Sequence, residues 1–371
     1  MKIDLPKLRK QLHRIPEIAF AEANTKLVLL SYLHMLEGIR IHEFTMSNGI
    51  LVDYKGCEGN YRLFRADMDA LPVQENTGCD FASQNPGMMH ACGHDIHMTV
   101  LLGLIQRICE LKPKVNLLFL FQPAEEGKGG AESILSENLI QSYPVSEVFA
   151  LHVASDMPVG AVSSKPGVFF GIPQEFDVVF KGVSAHAAFP EKGVNALQAG
   201  VRFMQLMQAD IAELGKTARV IFHVGKMTSG TVRNVVSDRC VLEGTHRTLS
   251  KNVRDTINKL ILSNCAAVSE ELHAEYEVDF LCSYDPVINA QKLVTELEAV
   301  CNAAGIKYLE AETALTGEDF GFFTTLYPGL LFWLGSGCNY PLHSDKFLAD
   351  ESCIEMGIKV MELLALQSSA Q

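Results

Sequence analysis

The segment MHACGHDIH, residues 89–97, holds the densest set of metal-binding side chains in this sequence. A cysteine, three histidines and an aspartate lie within eight positions of it. Thiolate and neutral imidazole are the ligands that zinc and the neighbouring first-row metals prefer. A lone Cys or His is more often an ordinary core residue, but further donors elsewhere in the chain favour a metal or catalytic site at Cys92 and His94.

Several apolar runs of the sequence each lead into acidic or histidine side chains. Uninterrupted apolar runs are typical of strands that are buried on both faces of a parallel sheet. In open α/β sheets, ligands bind just beyond the carboxyl ends of the strands. We therefore predict that these polar clusters form one site. The runs and the residues that follow them are 61–66 with Asp67 and Asp69, 115–121 with Glu125 and Glu126, 148–151 with His152, and 329–334 with His343.

A site for two divalent ions needs about four or five protein donors, and usually one ligand that bridges the ions. Cys92 and His94 are two residues apart on a loop, so both side chains can face one pocket. A Cys92 thiolate would serve as the bridging ligand and would favour softer, borderline metals over magnesium or calcium, with zinc, manganese, cobalt and nickel all open. The predicted metal ligands are Cys92, His94, Glu126, His152 and His343.

Glu125 and Asp69 are the predicted catalytic partners of these ligands. Neighbouring side chains in an extended segment point in different directions. Glu126 can therefore bind metal while Glu125 takes a proton from the water that attacks the substrate. A carboxylate such as Asp69, hydrogen-bonded to a ligating imidazole, would fix the tautomer of that ring. Two residues stay open: Asp67 belongs to the site or only caps a turn, and His97 is either a supporting group or a surface residue.

Length and composition are those of a globular protein with two domains. The chain has 371 residues, of which 48% are hydrophobic and 20% are charged. This length exceeds what a single hydrophobic core usually supports, so two domains are expected. The net charge of -13 disfavours a nucleic-acid-binding surface, for which a basic patch is expected. The first residues contain no apolar signal region, and no run is long and apolar enough to span a bilayer. Ten cysteines without a framework spacing predict reduced thiols in a cytoplasmic protein.

The order of the predicted elements changes after about residue 172. Strand-like runs at about 175–182, 219–224, 239–245 and 276–281 are interleaved with helices at about 194–214 and 252–272. The order strand, helix, strand, strand, helix, strand is the arrangement of ferredoxin-like domains. We therefore predict an α/β catalytic domain with a central, mostly parallel sheet at residues 1–172 and 286–371. An inserted ferredoxin-like α+β domain interrupts it at residues 173–285.

A series of longer motifs covers nearly the whole chain. The strings RADMDALP, MHACGHDIHM, QPAEEG, LHV, SAHAAFP, TGEDFGFF, LFWLG and PLH occur in this order. Together they resemble the metal-dependent aminoacylase/carboxypeptidase superfamily, and within it the amidohydrolase branch of hippurate hydrolases, auxin-conjugate hydrolases and N-acetyldiaminopimelate deacetylases. The resemblance implies the same ligands as above, with Glu125 as general base and Asp69 as the orienting carboxylate. More distant relatives carry His where this chain, like its branch, has Asp67.

The resemblance also gives the inserted domain a role. His186 in SAHAAFP matches a histidine that polarises the scissile carbonyl in relatives, in some cases across a dimer. The alternative is that His186 caps the helix that begins near Pro190. Arg233 and Asn234 match a segment that binds polar groups of the substrate, and charge and bidentate geometry suggest Arg233 as a carboxylate clamp. The resemblance further implies a homodimer.

The implied activity is hydrolysis of an N-acyl amino acid with two divalent ions. The motif combination is closest to the deacetylases that convert N-acetyl-LL-diaminopimelate to LL-diaminopimelate and acetate in lysine biosynthesis. A broader N-acyl amino acid amidohydrolase, a related metallopeptidase and a catalytically silent metal-binding relative are the alternatives. Asp156, or Glu318 with Asp319, would meet the distal ammonium of the diaminopimelate substrate, although the last pair fits better as support for the metal site.

Overall fold

The computed structural model describes residues 2–127 and 129–367. Within these ranges no helix is long and apolar enough to cross a membrane. Numbered along the chain, the helices are α1 Leu5–His13, α2 Ala23–Leu33, α3 His94–Leu111, α4 Gly130–Ser136, α5 Ala196–Leu214, α6 Lys251–Leu272, α7 Gln291–Ala303, α8 Gly321–Leu326 and α9 Ser352–Ala365. The strands are β1 Arg40–Glu43, β2 Ile50–Lys55, β3 Tyr61–Asp67, β4 Asn116–Gln122, β5 Val145–Ala154, β6 Val162–Ser164, β7 Gly167–Phe170, β8 Ile172–Lys181, β9 Ile221–Ser229, β10 Arg239–Thr248, β11 Glu275–Ser283, β12 Val287–Asn289, β13 Tyr308–Glu310 and β14 Gly329–Gly335.

The chain divides into two compact units. The first unit comprises Met1–Phe169, Val287–Thr313 and Asp319–Gln371, and the second comprises Phe170–Pro286 and Ala314–Glu318. The segment Ala314–Glu318 therefore groups with the second unit, although it follows the predicted insert in sequence. The boundaries at residues 173 and 285 stay a prediction.

The first unit is built on a ten-stranded sheet whose central strands are parallel. Its main path runs in the order β1-β2-β4-β3-β5-β14-β12-β7. Strand β3 pairs in parallel with β4 and β5, and β14 pairs in parallel with β5 and β12, while β1 and β2 are antiparallel additions at one side. Every residue of β3 and β4 is buried, as uninterrupted apolar strands require when both faces are covered. The aromatic rings of Phe64 and Phe149 stack at 4.9 Å in this core.

The second unit contains a four-stranded antiparallel sheet in the order β11-β8-β10-β9. Its elements follow the chain as β8, α5, β9, β10, α6 and β11, which is the ferredoxin-like order. In β8, Phe176, Val178 and Phe180 alternate with less buried residues and face the core, where Phe203 of α5 and Ile261 of α6 are also buried. The predicted α/β fold with a ferredoxin-like α+β domain is confirmed.

Candidate metal centre and catalytic base

The parallel strands of the first unit bring distant polar residues to one edge of the sheet. Asp67 ends β3 and lies in register with Gln122 at the end of β4. His152 of β5 lies in register with Trp333 of β14, and the segment after β14 leads to His343. Because the carboxyl ends of parallel strands meet at the same edge, residues far apart in sequence can serve one site.

Five donor side chains form two groups at this edge, and both groups contain Cys92. In the first group the ligand atoms of Cys92, His94 and His152 all lie within 4.8 Å of one another, with Cys92 Sγ 3.4 Å from His152 Nε2. In the second group Cys92 lies with Glu126 and His343, whose Oε1 and Nε2 atoms are 3.4 Å apart. The Cys92 thiol is common to both groups, as a ligand that bridges two ions would be.

Backbone carbonyls fix the tautomers of the two buried imidazoles. His94 Nδ1 is 2.8 Å from the carbonyl oxygen of Asp69, and His152 Nδ1 is 2.9 Å from that of Val153. Since a carbonyl only accepts, both Nδ1 atoms carry the proton and both Nε2 lone pairs are directed to the cluster. Burial and the neighbouring His97 lower the pKa of His152 to about 3, so this ring is neutral, the form that binds metal.

The chemistry of the donors fits divalent cations. Among the described residues, His94 Nε2 and Glu126 Oε1 are buried polar atoms without a hydrogen-bond partner, an arrangement that costs free energy. Burial and the negative charges of Glu126, Glu125 and Asp67 hold the pKa of the Cys92 thiol well above its ordinary value. A cation beside the sulfur would offset both penalties and favour the thiolate.

Asp69 orients the turn that carries the two glutamates. Its carboxylate, fully buried, accepts the backbone N–H of Glu125 at 3.0 Å and that of Glu126 at 2.9 Å. The contact of His94 with Asp69 is made through the backbone carbonyl, and the carboxylate lies 3.6 Å from Nδ1. Asp69 therefore serves the glutamate turn with its side chain and the imidazole with its backbone.

Glu22 is a further support of this turn that the sequence does not reveal. Ala124, immediately before the two glutamates, has φ +58, a conformation that costs a non-glycine residue about 1–2 kcal/mol. Glu22 Oε1 accepts the Ala124 N–H at 2.9 Å and is itself fully buried. Burial and the nearby charge of Asp69 raise the pKa of Glu22 to about 7. No local pattern links Glu22 to this turn, because Ala124 lies 102 residues away in sequence.

Asp67 and His97 both belong to the site. His97 Nδ1 is 2.6 Å from Asp67 Oδ1, and His97 Nε2 accepts the Val153 N–H at 3.0 Å. His97 is therefore a neutral, buried ring that joins the end of β3 to the strand of His152, and it is not a surface residue. Although burial acts in the opposite direction, the interactions with His94, His97 and Arg65, including the hydrogen bond from His97 Nδ1–H, hold the pKa of Asp67 well below its usual range.

Arg65 links Asp67 to Asp319 across the sheet. Its guanidinium donates to Asp67 Oδ2 at 2.8 Å and to Asp319 Oδ1 at 2.9 Å, and all three side chains are buried. The backbone N–H of Asp319 donates to Glu125 Oε1 at 3.4 Å. Asp319 thus supports Glu125 and is occupied by protein partners. Of the other acidic candidates for the distal ammonium, Asp156 is exposed and Glu318 belongs to the second unit.

The predicted residues of the second unit lie close together. His186 forms an isolated antiparallel bridge with Val235, and the carbonyl of Asn234 accepts the Ala187 N–H at 3.0 Å. His186 Nδ1 accepts the N–H of Ala188 at 3.0 Å, so its exposed Nε2 carries the proton. The short 3-10 helix at Pro190–Lys192 has no side-chain cap, so His186 does not cap it. The hydrogen bond of His186 is made within its own loop, to Ala188. Arg233 lines a cleft of about 570 Å³ in this unit.

Comparison with known proteins identifies relatives of similar length. Residues 63–367 match Peptidase family M20/M25/M40. The chain is 35% identical over 368 residues to N-acetyldiaminopimelate deacetylase of Shouchella clausii, covering 99% of this chain and 98% of that protein. It is 38% identical to N-acetyldiaminopimelate deacetylase of Bacillus velezensis, with 95% and 96% covered. A solved Bacillus subtilis dinuclear metal binding peptidase from the M20 family matches with a TM-score of 0.84 and 27% identity, covering 98% of this chain and 96% of that one. These matches confirm the resemblance stated from the motifs.

Proposed function

This chain belongs to Peptidase family M20/M25/M40 and is a metal-dependent hydrolase, and we propose that it removes the acetyl group from N-acetyl-LL-diaminopimelate. The products are acetate and LL-diaminopimelate. The curated relatives cited above carry the name of this activity at 35–38% identity over nearly their whole length. The proposed metal ligands are Cys92, His94, Glu126, His152 and His343.

The observation that carries the proposal is the position of Glu125 beside the donor cluster. Its ligand atom lies within 4.8 Å of those of His94 and Glu126, and its backbone N–H is held by Asp69. A carboxylate at this distance can take a proton from a water and return it to a leaving amine. A protein that only stored metal would gain nothing from a second buried glutamate at this position.

Divalent ions held by the donor cluster would polarise the amide carbonyl and lower the pKa of water. The residues of the chain supply the proton transfers. Glu125 takes a proton from the attacking water and then delivers it to the amide nitrogen as the C–N bond breaks. The turn held by Asp69 keeps Glu125 directed at the cluster during both steps.

In the second unit, we assign substrate recognition to the His186 loop. The Nε2–H of His186 would donate to the carbonyl oxygen as negative charge develops there. Arg233, with its planar fork of donors, would bind a carboxylate of the substrate, and Asn234 would bind a further polar group. His186→Ala should therefore lower kcat, whereas Arg233→Ala should mainly raise KM, because a carboxylate contact is made equally in the ground state.

Glu125→Gln tests the catalytic part of the proposal. The amide is nearly isosteric but accepts no proton, so we expect kcat to fall by at least about 10³-fold while metal content is kept. Metal content by plasma mass spectrometry and acetate release measured together separate this result from loss of the ions. Near-normal turnover by Glu125→Gln would remove Glu125 from the proton-transfer role.

A substrate panel tests the specificity. Metal-loaded protein is offered N-acetyl-LL-diaminopimelate, hippurate, simple N-acetyl amino acids and short peptides, and kcat/KM is compared. We expect the diaminopimelate compound to be the best substrate. Preference for hippurate or simple N-acetyl amino acids would support the proposed amide hydrolysis but contradict the proposed substrate. Turnover of peptides alone would favour a metallopeptidase. A loaded protein that is inactive on all of them would be a silent relative.

The second unit also supports the proposal of a homodimer. Strand β9 is at the edge of its sheet and exposes Ile221 and Met227, and helix α5 exposes Leu197 and Val201. Exposed edge strands and apolar patches are typical of surfaces that pair with another chain. Sedimentation should give twice the mass of the chain, and a monomer at micromolar concentration would contradict this. A cytoplasmic location stays a prediction from the sequence.

A further inference from the structure

A second group of metal-binding side chains lies outside the proposed catalytic centre. The ligand atoms of His13, Glu75 and Cys79 all lie within 4.8 Å of one another. None of these residues is among the predicted ligands. From their geometry, we propose that His13, Glu75 and Cys79 bind a separate zinc ion that fixes the loop carrying Glu75 and Cys79.

The donor spacing matches tetrahedral zinc. Zinc bonds of about 2.0–2.1 Å to nitrogen and oxygen and about 2.3 Å to sulfur place neighbouring donors about 3.4–3.5 Å apart. His13 Nε2 lies 3.3 Å from Glu75 Oε1, and Cys79 Sγ lies 3.7 Å from the same oxygen. Both distances lie within a few tenths of an ångström of this spacing, and water would complete the coordination.

The residues behind the site orient its imidazole. His13 Nδ1 lies 2.8 Å from Asp95 Oδ2, an oxygen that also accepts from Arg9 Nε at 2.9 Å. A carboxylate on one ring nitrogen, with the other directed at the metal, is the usual arrangement around ligating histidines. His13, Asp95 and Arg9 are each 1% exposed, so this support is rigid and dry. The other oxygen of Glu75 accepts the Ser83 N–H at 2.6 Å, which orients the carboxylate.

The charges balance when a divalent ion is present. Arg9 neutralises Asp95 in the buried pair behind the ring. Zinc would then neutralise the Glu75 carboxylate and the Cys79 thiolate, with His13 neutral. Without an ion, a protonated His13 neutralises the same carboxylate. The two states therefore differ by exchange of protons for zinc, which is the ordinary competition at a metal site.

Cys79 differs from the cysteines of the core. Burial raises the pKa of Cys265 and of Cys353 to about 12. Burial acts in the same direction on Cys79, but hydrogen bonds with His13 and Thr77 outweigh it and lower the pKa of this thiol. Cys79 is also only half-buried, so an ion can reach it from solvent.

The loop that supplies two of the donors has no helix or strand of its own. A bridge between Leu71 and Met89 closes it, and the residues between them are irregular or form turns and bends. Loops of more than about 12–15 residues without secondary structure are uncommon in compact domains and usually have a function. Asn76, next to Glu75, donates its backbone N–H to the carbonyl of Asp345 at 2.8 Å, two residues after His343. A bound ion would thus steady a loop that contacts the His343 segment.

Zinc binding by the holoenzyme tests the proposal. Wild type, Cys79→Ser and the control Cys57→Ser are dialysed against buffered free Zn²⁺, and bound zinc is counted by plasma mass spectrometry. In parallel, alkylation of Cys79 and Cys57 in wild type is followed with iodoacetamide and peptide mass spectrometry, with and without added Zn²⁺. Cys57 is also half-buried and is not part of the group, so it reports non-specific effects.

We expect wild type and Cys57→Ser to bind one zinc ion per chain more than Cys79→Ser. Added Zn²⁺ should slow alkylation of Cys79 by about tenfold or more and leave Cys57 unchanged, because a thiolate that donates its lone pair to zinc is a weaker nucleophile. Equal zinc content in all three proteins, with unchanged alkylation of Cys79, would overturn the proposal and leave His13 as the cation of a structural ion pair. The alkylation readout needs no variant, so a folding defect in Cys79→Ser cannot hide the answer.

Discussion

Replacement of Asp69 by asparagine removes the charge that holds the glutamate turn and keeps the shape of the side chain. Both carboxylate oxygens of Asp69 accept backbone N–H groups, from Glu125 at 3.0 Å and from Glu126 at 2.9 Å. Asparagine offers one oxygen and one NH2 group, so one of the two amides would face a donor. This repulsion would rotate the turn and move Glu125, the proposed base, with it.

The magnitude follows from these two contacts. Hydrogen bonds to a charged group contribute about 1.5–3 kcal/mol each, and a neutral one about 1 kcal/mol. The Asp69→Asn variant would keep one neutral bond and leave one N–H unpaired in a fully buried place, a loss of about 3 kcal/mol. If this loss falls on the transition state, kcat drops about a hundredfold, and KM changes little.

The assay is steady-state acetate release at saturating metal, with bound metal measured on the same samples. Asp53→Asn is the matched control, because Asp53 is equally buried on β2 and pairs with Arg40 away from the donor cluster. Asp53→Asn should lose stability and keep kcat. A kcat for Asp69→Asn within about threefold of wild type, with full metal content, would refute the positioning role.

Three further perturbations address the metal, the backbone and pH. Cys92→Ser should lower the metal content and the rate together, since both donor groups share this thiol, and unchanged occupancy would argue against ligation. Gly93→Ala should destabilise more than Gly38→Ala in denaturant titrations. Both glycines have φ +85, but only at Gly93 does a Cβ meet a side-chain carbon, at 2.4 Å from Val153, and equal effects would exclude this clash. His246→Gln should make the free energy of unfolding depend less on pH in the acid range. Burial lowers the pKa of His246 from 6.5 to about 4, so its contribution is complete above pH 6.5 and is lost as the pH falls towards 4, by about 2 kcal/mol at pH 5. If the free energy of unfolding changed between pH 7.5 and pH 5 by the same amount in the variant and in wild type, this prediction would be wrong.

The strand ends of the first unit are predictable because their physical signal is local. The run 115–121 predicts a buried strand, and the structure has Asn116–Gln122 there. Parallel pairing then places the polar residue after each strand at a common edge, whatever its distance in sequence. The amino-acid pattern therefore predicts one site for Glu126, His152 and His343.

The second unit shows where local pattern is insufficient. The apolar run at 219–224 predicts a short strand, but β9 continues to Ser229 through residues that are mostly exposed. Pairing with β10, past an irregularity between Glu243 and Gly244, determines this length, and no apolar pattern encodes it. Likewise, an arginine in a buried strand predicts a carboxylate partner for Arg65. The sequence does not identify that partner as Asp319, because it lies 254 residues away.

The distribution of charge around the donors explains why so many acidic residues are tolerated at one place. The proposed ligands bring two negative charges, from Cys92 and Glu126, against the four positive charges of two divalent ions. Glu125 and Asp67 would add further negative charges next to them, but Arg65 pairs with Asp67 at 2.8 Å. The negative charge of Asp69 is stabilised by the backbone N–H groups of Glu125 and Glu126. The filled centre would therefore keep a surplus of positive charge for the substrate carbonyl and the attacking water, and the ion pair of Arg65 with Asp67 would help to preserve it.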